Sequence, residues 1–376
     1  MSSTRTRSAP FDAAAPFNCL PRLPPTQDVE TRATLKACID ARVALAELNM
    51  AARSIPNQAI LVNTLAGLEA CASAELDHFK TTIDQWFQHA GDDREPTDPG
   101  TRLALRYWTA LQRGVDSLIQ RPLSTATAVQ VCREICGPEL DIRTLPAAAF
   151  TNQAGVALYT PPHGEVLVRD LLTNWERYLH DQASIDPLIR MAVGCYQFEA
   201  IHPFSDGNGP TARILSQLYL VEQQLLELPI LHLNRATIWK GADGYRQLNN
   251  VTRSGAWEPW ILSLVNAVNE AARWTTAKIL AMRGLLLETT RYIQRRAPSL
   301  YSRELVELVF AHPYCRIANL VQAGLAKRQT ASRYLTQLCE IGILDDVKVG
   351  RDKLFIHLKL MALLKSEQHA FPHYDS

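Results

Sequence analysis

Residues 202–213 (HPFSDGNGPTAR) constrain this chain more than any other stretch, because they form a polar loop closed on both sides by apolar segments. Ahead of the loop, residues 186–201 (DPLIRMAVGCYQFEAI) read as an apolar helix. Behind it, residues 210–228 read as another, with Leu215, Leu218, Tyr219 and Leu225 on one stripe. A loop between two buried helices is fixed at both ends. Gly207 and Gly209 let the backbone turn its amides inward, and the following helix adds free N–H groups and the positive end of its dipole. Such a loop binds anions, phosphate above all. His202 at its mouth can take a proton, and Asp206 can hold the divalent cation that phosphates need. The loop reads as a phosphate site with a base beside it.

The rest of the chain gives this site room and few competing explanations. With 376 residues there is space for about two domains and a large core. A formal net charge of +1 gives no global electrostatic case for nucleic acid or an anionic membrane, so any basic patch is local. No run of about 18 apolar residues occurs, and the first residues (MSSTRTRSAPFDAAAPFN) lack a hydrophobic signal core. The expectation is a cytoplasmic protein without a membrane partner. Cys38, Cys71, Cys132, Cys136, Cys195 and Cys339 fall inside helical patterns. Cys132 and Cys136 are four apart without His or Cys partners nearby, which is poor zinc spacing, and free buried thiols are expected.

Four segments follow from the patterning. Residues 1–27 are Pro- and Ala-rich, with Pro21, Pro24 and Pro25 ruling out helix, and form an extended arm. Residues 28–140 form a helical region. Its first helix begins with Asp28 as N-cap, and Pro56 restarts the pattern over 57–82. A polar loop over 91–100 and helices over 101–114 and 124–136 complete the region. Residues 141–290 carry the loop described above. There 147–167 break the helical run with an extended, β-like segment around Val156, Leu158 and Tyr159, followed by Pro161 and Pro162. Helices are expected over 166–180, 186–201, 210–228 and 256–287. In the last segment, 291–376, short helices are expected over 302–311, 316–323 and 330–341, the second ending at Gly324 and the third at Gly342. Strands over 344–349 and 353–357 flank the Gly350-Arg351-Asp352 turn. This order describes a helix-turn-helix with a wing. Arg328, Arg333, Lys348 and Arg351, with Lys327, line its recognition helix and wing, where phosphate contacts to DNA would fall. Asp345, Asp346 and Asp352 lie close by. Such modules also serve as protein-interaction or dimer pieces, and both readings stay open.

The loop is similar to the motif of the Fic family, His-x-Phe-x-(Asp/Glu)-Gly-Asn-Gly-Arg-x-x-Arg, found in protein nucleotidyltransferases that mostly transfer AMP. His202, Phe204, Asp206, Gly207, Asn208, Gly209 and Arg213 match, whereas Pro210 stands where the first arginine belongs. The resemblance implies a mainly α fold: a Fic-like helical core with a short β-flap, plus a small C-terminal winged helix-turn-helix domain. By the same resemblance His202 is the base that deprotonates a Ser, Thr or Tyr hydroxyl of a protein target, the chain itself included. Asp206 holds Mg²⁺ on the phosphates of the substrate ATP. Gly207, Asn208 and Gly209 cradle the α- and β-phosphates, and Arg213 contacts the γ-phosphate. Phe204 is the buried anchor of the loop. Val156, Ala157, Leu158 and Tyr159 occupy the place of the flap that holds the target by strand addition. Gln197, Trp239 and Tyr245 are candidates for the nucleotide base.

Ser73 and Asp77, on residues 68–82, resemble the inhibitory helix of Fic proteins, (Ser/Thr)-x-x-x-Glu-(Gly/Asn), whose glutamate pairs with the second motif arginine. Asp77 replaces the glutamate and His78 the Gly/Asn. Fic proteins of this kind often self-associate, so a homodimer is among the expected partners. Proline suits the first helical position, where the N–H is unpaired anyway. The fold therefore tolerates Pro210, while the phosphate site loses a guanidinium. Two functions stay open: an AMP transferase weakened or altered by Pro210, and a non-catalytic Fic scaffold acting as a nucleotide- or DNA-binding regulator.

Overall fold

The computed structural model describes residues 11–91, 96–151, 154–181, 184–235, 242–349 and 352–374, the side chains of 242–245 and 352 excepted. In chain order the elements are α1 (Arg32–Arg53), α2 (Ala59–Leu76), α3 (Ile83–His89), α4 (Pro99–Gln120), α5 (Thr125–Cys136), β1 (Phe150–Thr151), β2 (Ala157–Tyr159) and α6 (Glu165–Asp181). They continue with α7 (Pro187–Ile201), α8 (Asn208–Glu222), α9 (Ala242–Ser254), α10 (Trp257–Arg296), α11 (Arg303–Ala311), β3 (Tyr314–Cys315), α12 (Ile317–Gln322), α13 (Arg328–Glu340), β4 (Asp345–Val349), β5 (Asp352–Ile356) and α14 (Leu358–Lys365). The protein is mainly α, as the periodicity predicts. Two compact units share these elements, and neither is continuous in sequence. One comprises Met1–Ile39, Asp116–Leu220 and Thr237–Ala267; the other comprises Asp40–Val115, Val221–Ala236 and Val268–Ser376.

The first unit is organised around α7. Asp186 caps this helix, its carboxylate accepting from Leu188 N–H at 2.8 Å, and Pro187 occupies the first turn. Leu188, Ile189, Val193, Phe198 and Ile201 are buried, each contributing about 1.5–3 kcal/mol. Two tryptophans hold the helix by its carbonyls. Trp175 Nε1 of α6 donates to Gly194 O at 3.0 Å, and Trp260 Nε1 of α10 donates to Ala192 O at 2.7 Å. Gly194 permits the α6 contact: a Cβ there would lie 2.8 Å from Leu179 Cδ2. The β1–β2 pair is antiparallel, with Phe150 opposite Tyr159.

Several helix boundaries depart from the pattern-based expectation: α4 runs on to Gln120 rather than stopping at 114, and α8 covers Asn208–Glu222 rather than 210–228. Asp28 does not cap α1. Its carboxylate closes a turn on Glu30 N–H at 2.9 Å, while Thr31 Oγ1 accepts from Thr34 N–H at 3.2 Å and the helix starts at Arg32. The helix expected over 57–82 ends at Leu76, because His78 turns left-handed with φ 65°. Thr82 then starts α3 with a capping box, exchanging bonds with Gln85 at 3.2 and 3.0 Å. The Arg-rich stretch near 288–298 continues α10 to Arg296.

In the second unit α2 is long and apolar enough to cross a membrane, with a mean hydropathy of 1.3, yet 56% of it is buried inside the protein. Near the C-terminus Ser302 caps α11, and left-handed Gly324 and Gly342 follow α12 and α13. β5 lies between β3 and β4 in an antiparallel sheet. The buried His357 caps α14, its Nδ1 accepting from Leu360 N–H at 3.3 Å, and burial pushes its pKa down to about 3. Buried Lys278 closes the other end of α14 by donating to Leu363 O and Ser366 O at 2.8 and 2.6 Å.

The α6–α7 contact gives a direct test of this packing. Gly194→Val puts branched carbons where Leu179 sits and is expected to cost about 1–3 kcal/mol. A fall of several degrees in the thermal midpoint checks it; an unchanged midpoint would refute the close approach.

Candidate active site

α7 stops at His202, which adopts a left-handed backbone (φ 50°, ψ 62°) and donates its N–H to Phe198 O at 3.0 Å. A non-glycine residue there costs about 1–3 kcal/mol and persists only where its surroundings enforce it. Arg143 supplies much of that enforcement. Its buried guanidinium donates to His202 O at 2.7 Å, Ile201 O at 3.2 Å, Leu145 O at 3.1 Å and Pro162 O, while its backbone N–H donates to Pro203 O at 2.9 Å. One side chain thus ties the C-terminus of α7 to the segment that follows β2. Arg143 lies in an irregular segment with no motif spacing, so nothing in the sequence marks it.

Beyond His202 the loop is locked from inside. Asn208 Oδ1 accepts from Phe204 N–H at 2.9 Å and its Nδ2 donates to Phe204 O at 2.8 Å, both groups buried. The Asn208 side chain is therefore committed to the loop, and what it can offer a phosphate is its backbone N–H. Phe204 is fully buried, as expected of an anchor. Gly207 is left-handed at φ 75°, and a Cβ there would lie 2.4 Å from Cys136 Sγ and 3.2 Å from Cys132 Sγ. The two α5 cysteines form the seat of the loop, with Cys132 Sγ donating to Asp206 O at 3.4 Å. Bonding to Cys136 and burial push the Cys132 thiol far above its ordinary pKa, which suits a packing role. None of the eight cysteines is in a disulfide.

The His202 ring is half-buried, with Nδ1 shielded from solvent and without a hydrogen-bond partner among the described residues. Burial, then the charge of Arg143, push its pKa down to about 4, and the Glu199 carbonyl opposes them only in part. Phe150 packs its ring edge-on to the imidazole at 4.8 Å between centroids. At neutral pH the ring is uncharged and able to accept a proton.

The other side of the site is the first turn of α8. Gly207 O accepts from Thr211 N–H at 3.1 Å, and the Asp206 carboxylate accepts from Gly207 N–H at 2.7 Å. The N–H groups of Asn208 and Gly209, in the first turn, have no partner within the helix. Gly209 is helical, so Gly207 alone makes the left-handed turn expected of both. Pro210 is the third residue of α8 rather than the first. Proline is still tolerated, because the residue four before it precedes the helix and its own N–H would be unpaired. Arg213 is buried in the second turn. Among the described residues no three His, Cys, Asp or Glu side chains form a metal cage. The exposed carboxylate of Asp206 beside an anion nest nevertheless fits Mg²⁺, which is held through one or two carboxylates plus phosphate oxygens and water.

Gln197 is buried and donates to Pro21 O at 3.0 Å, so its amide N–H₂ holds the N-terminal arm. Trp239 lies outside the described residues, as does the side chain of Tyr245. Ala157, Leu158 and Tyr159 form β2, and Val156 precedes it, exposed. Tyr159 points inward: its hydroxyl donates to Ala200 O at 2.7 Å. Ser73 is buried in the last turn of α2, and Asp77 follows as its C-cap. His78 at the left-handed position explains why a glycine or asparagine suits that place. Arg328, Arg333 and Lys348 are exposed on α13 and β4, and Arg351 lies outside the described residues. Asp346 pairs with Lys353 at 3.0 Å on the same hairpin.

Three family models match in succession. They are the Fic/DOC family N-terminal model over residues 35–116, the Fic/DOC family model over 122–220, and the protein adenylyltransferase SoFic-like C-terminal domain over 285–360. The chain belongs to the Fic family. It is similar to protein adenylyltransferase fic-1 of Caenorhabditis elegans, 37% identical over 75 residues, which are 19% of this chain and 14% of that protein. It is also similar to a probable protein adenylyltransferase, aq_aa38, of Aquifex aeolicus, 38% identical over 72 residues and 22% of that protein. The matches thus span less than a quarter of these relatives. The crystal structure of a Fic family protein from Desulfovibrio desulfuricans shares the fold, with a TM-score of 0.56 over 89% of this chain and 98% of that one at 16% identity.

Arg143 is the testable centre of this geometry. Arg143→Met strands several carbonyls and is expected to cost roughly 2–5 kcal/mol, at about 1–3 kcal/mol per stranded group. It also removes a positive charge near His202, so the ring should titrate above about 4 in NMR. Arg143→Lys, which keeps the charge, should destabilise with a smaller change in that titration. An unmoved His202 titration in Arg143→Met would contradict the electrostatic role.

Proposed function

We propose that this chain transfers AMP from ATP to a Ser, Thr or Tyr hydroxyl of a protein, the chain itself included. The observation that carries the reading is an uncharged His202 at the mouth of the α8 amide nest, with Asp206 between them in the loop. The Fic family models and the adenylyltransferase names of the relatives support it. His202 takes the proton of the target hydroxyl as its oxygen bonds to the α-phosphorus. The bond from that phosphorus to the bridging oxygen breaks, and pyrophosphate leaves. The amides of Asn208 and Gly209 and the dipole of α8 orient the phosphates, and Arg213 adds positive charge. Asp206 would hold Mg²⁺, which when bound neutralises phosphate charge.

Pro210 favours a second reading, a scaffold that binds without transferring. The missing guanidinium is worth about 1.5–3 kcal/mol as a charge-assisted bond, on the order of a tenfold to hundredfold in rate. We favour a slowed enzyme, because the base, the loop lock and Arg213 are all retained.

Incubation with Mg²⁺ and α-labelled ATP is expected to label the protein, and His202→Ala should abolish the label. Pro210→Arg should raise the rate by about tenfold to a hundredfold. Because the base must be uncharged, the rate should climb as pH rises through about 4 and level off above about 6. No label in either the native chain or Pro210→Arg would leave the scaffold reading.

A further inference from the structure

Residues 11–31 form two halves that are held differently. From Leu20 onward the chain is anchored. Leu20, Leu23 and Val29 are buried, and Asn174 bonds both the N–H and the carbonyl of Leu23 at 2.8 and 2.9 Å. Gln197 holds Pro21 O, Arg22 pairs with Asp170, and Glu30 accepts from Asp186 N–H at 2.8 Å. From Phe11 to Cys19 the chain is mostly exposed, and its contacts converge on the end of the flap. Phe17 N–H donates to Thr160 O at 2.9 Å, Thr160 Oγ1 donates to Ala13 O at 2.8 Å, and His163 N–H donates to Asn18 Oδ1 at 2.8 Å.

The structure assigns residues 13–18 as a resident occupant of the flap end, one that an extended target polypeptide must displace. The assignment rests on the reading of the β2 segment as the target-holding flap. Two of the three bonds use peptide groups of the arm, so any extended chain could replace them: main-chain bonds give affinity without demanding a sequence. The occupant is also linked to the base by a run of ring contacts. Phe17 meets Tyr159 edge-on at 6.2 Å, Tyr159 stacks on Phe150 at 5.9 Å, and Phe150 meets His202 at 4.8 Å. Phe11 extends the run to Phe17 at 5.5 Å and lies under Arg253 at 5.6 Å. The exposed half is therefore positioned to compete in cis. A tethered segment acts at a local concentration on the order of millimolar, enough to outcompete weak targets.

The test uses the full-length chain and the double substitution Phe17→Pro and Asn18→Ala, which removes one amide donor, one ring and one acceptor without touching the loop. The probe is a fluorescein-labelled synthetic peptide of residues 11–19, with serine in place of Cys19, followed by anisotropy. It should bind the double variant about tenfold or more tighter than the native chain, where the tethered arm competes. Hydrogen exchange on the native chain should find the Phe17 amide protected and, in the variant, faster exchange at 157–163, with an unchanged thermal midpoint for the whole. Equal peptide affinity for the two chains, or an unprotected Phe17 amide, would overturn the assignment. AMP transfer to an added hydroxyl-bearing peptide should rise several-fold in the variant. Absence of transfer alongside the expected binding and exchange would count against the transferase reading and leave the occupant in place.

Discussion

A buried guanidinium compensated by carbonyl oxygens holds this site together. Arg143 is taken out of water, and that desolvation pulls its pKa down. What stabilises it is the C-terminus of α7, whose last carbonyls carry the negative end of the helix dipole, together with the Pro162 and Leu145 carbonyls. Carbonyl compensation leaves the cation free to act on its neighbour. A carboxylate partner in its place would have cancelled the charge felt by His202. Here the same residue fixes the left-handed turn of the histidine, joins it to the strand segment, and adds its charge to the burial that lowers the pKa of the imidazole.

The two halves of the loop are built on different physics. At the histidine end, geometry is enforced by bonds from a distant segment. At the anion end it is enforced by exclusion and by internal bonding: Gly207 has room for no side chain against Cys136, and Asn208 closes on Phe204. Pro210 disturbs neither, since it sits in the first turn of α8, where no helical bond is lost. Its consequence is confined to charge. The loop keeps its built geometry despite the missing arginine.

Much of the fold was legible because helix signals here are local. Asp186 with Pro187, Ser302, Gly324 and Gly342 mark boundaries that the structure respects. One misreading arose where two caps competed within a few residues: Asp28 lost to Thr31. Another arose where His78 turned left-handed and ended a helix early, after which Thr82 with Gln85 started a new one. Gln197 shows a different limit: a polar residue on a buried helix must find some partner, and the pattern cannot say that its amide N–H₂ reaches the Pro21 carbonyl.

The sequence by itself determined the family, the helical class and the identity of the loop residues, because a histidine, an acid, a left-handed glycine and a helix start within twelve positions leave few structural solutions. Tertiary structure alone decided what acts on that loop. Arg143, Cys132, Cys136 and Phe150 reach it from segments whose spacing to His202 carries no pattern, and the arm of residues 11–19 reaches the segment after β2 largely through its peptide groups. Desolvation and through-space charge depend on what folds around a group, so the protonation state of His202 was fixed only when those segments came together.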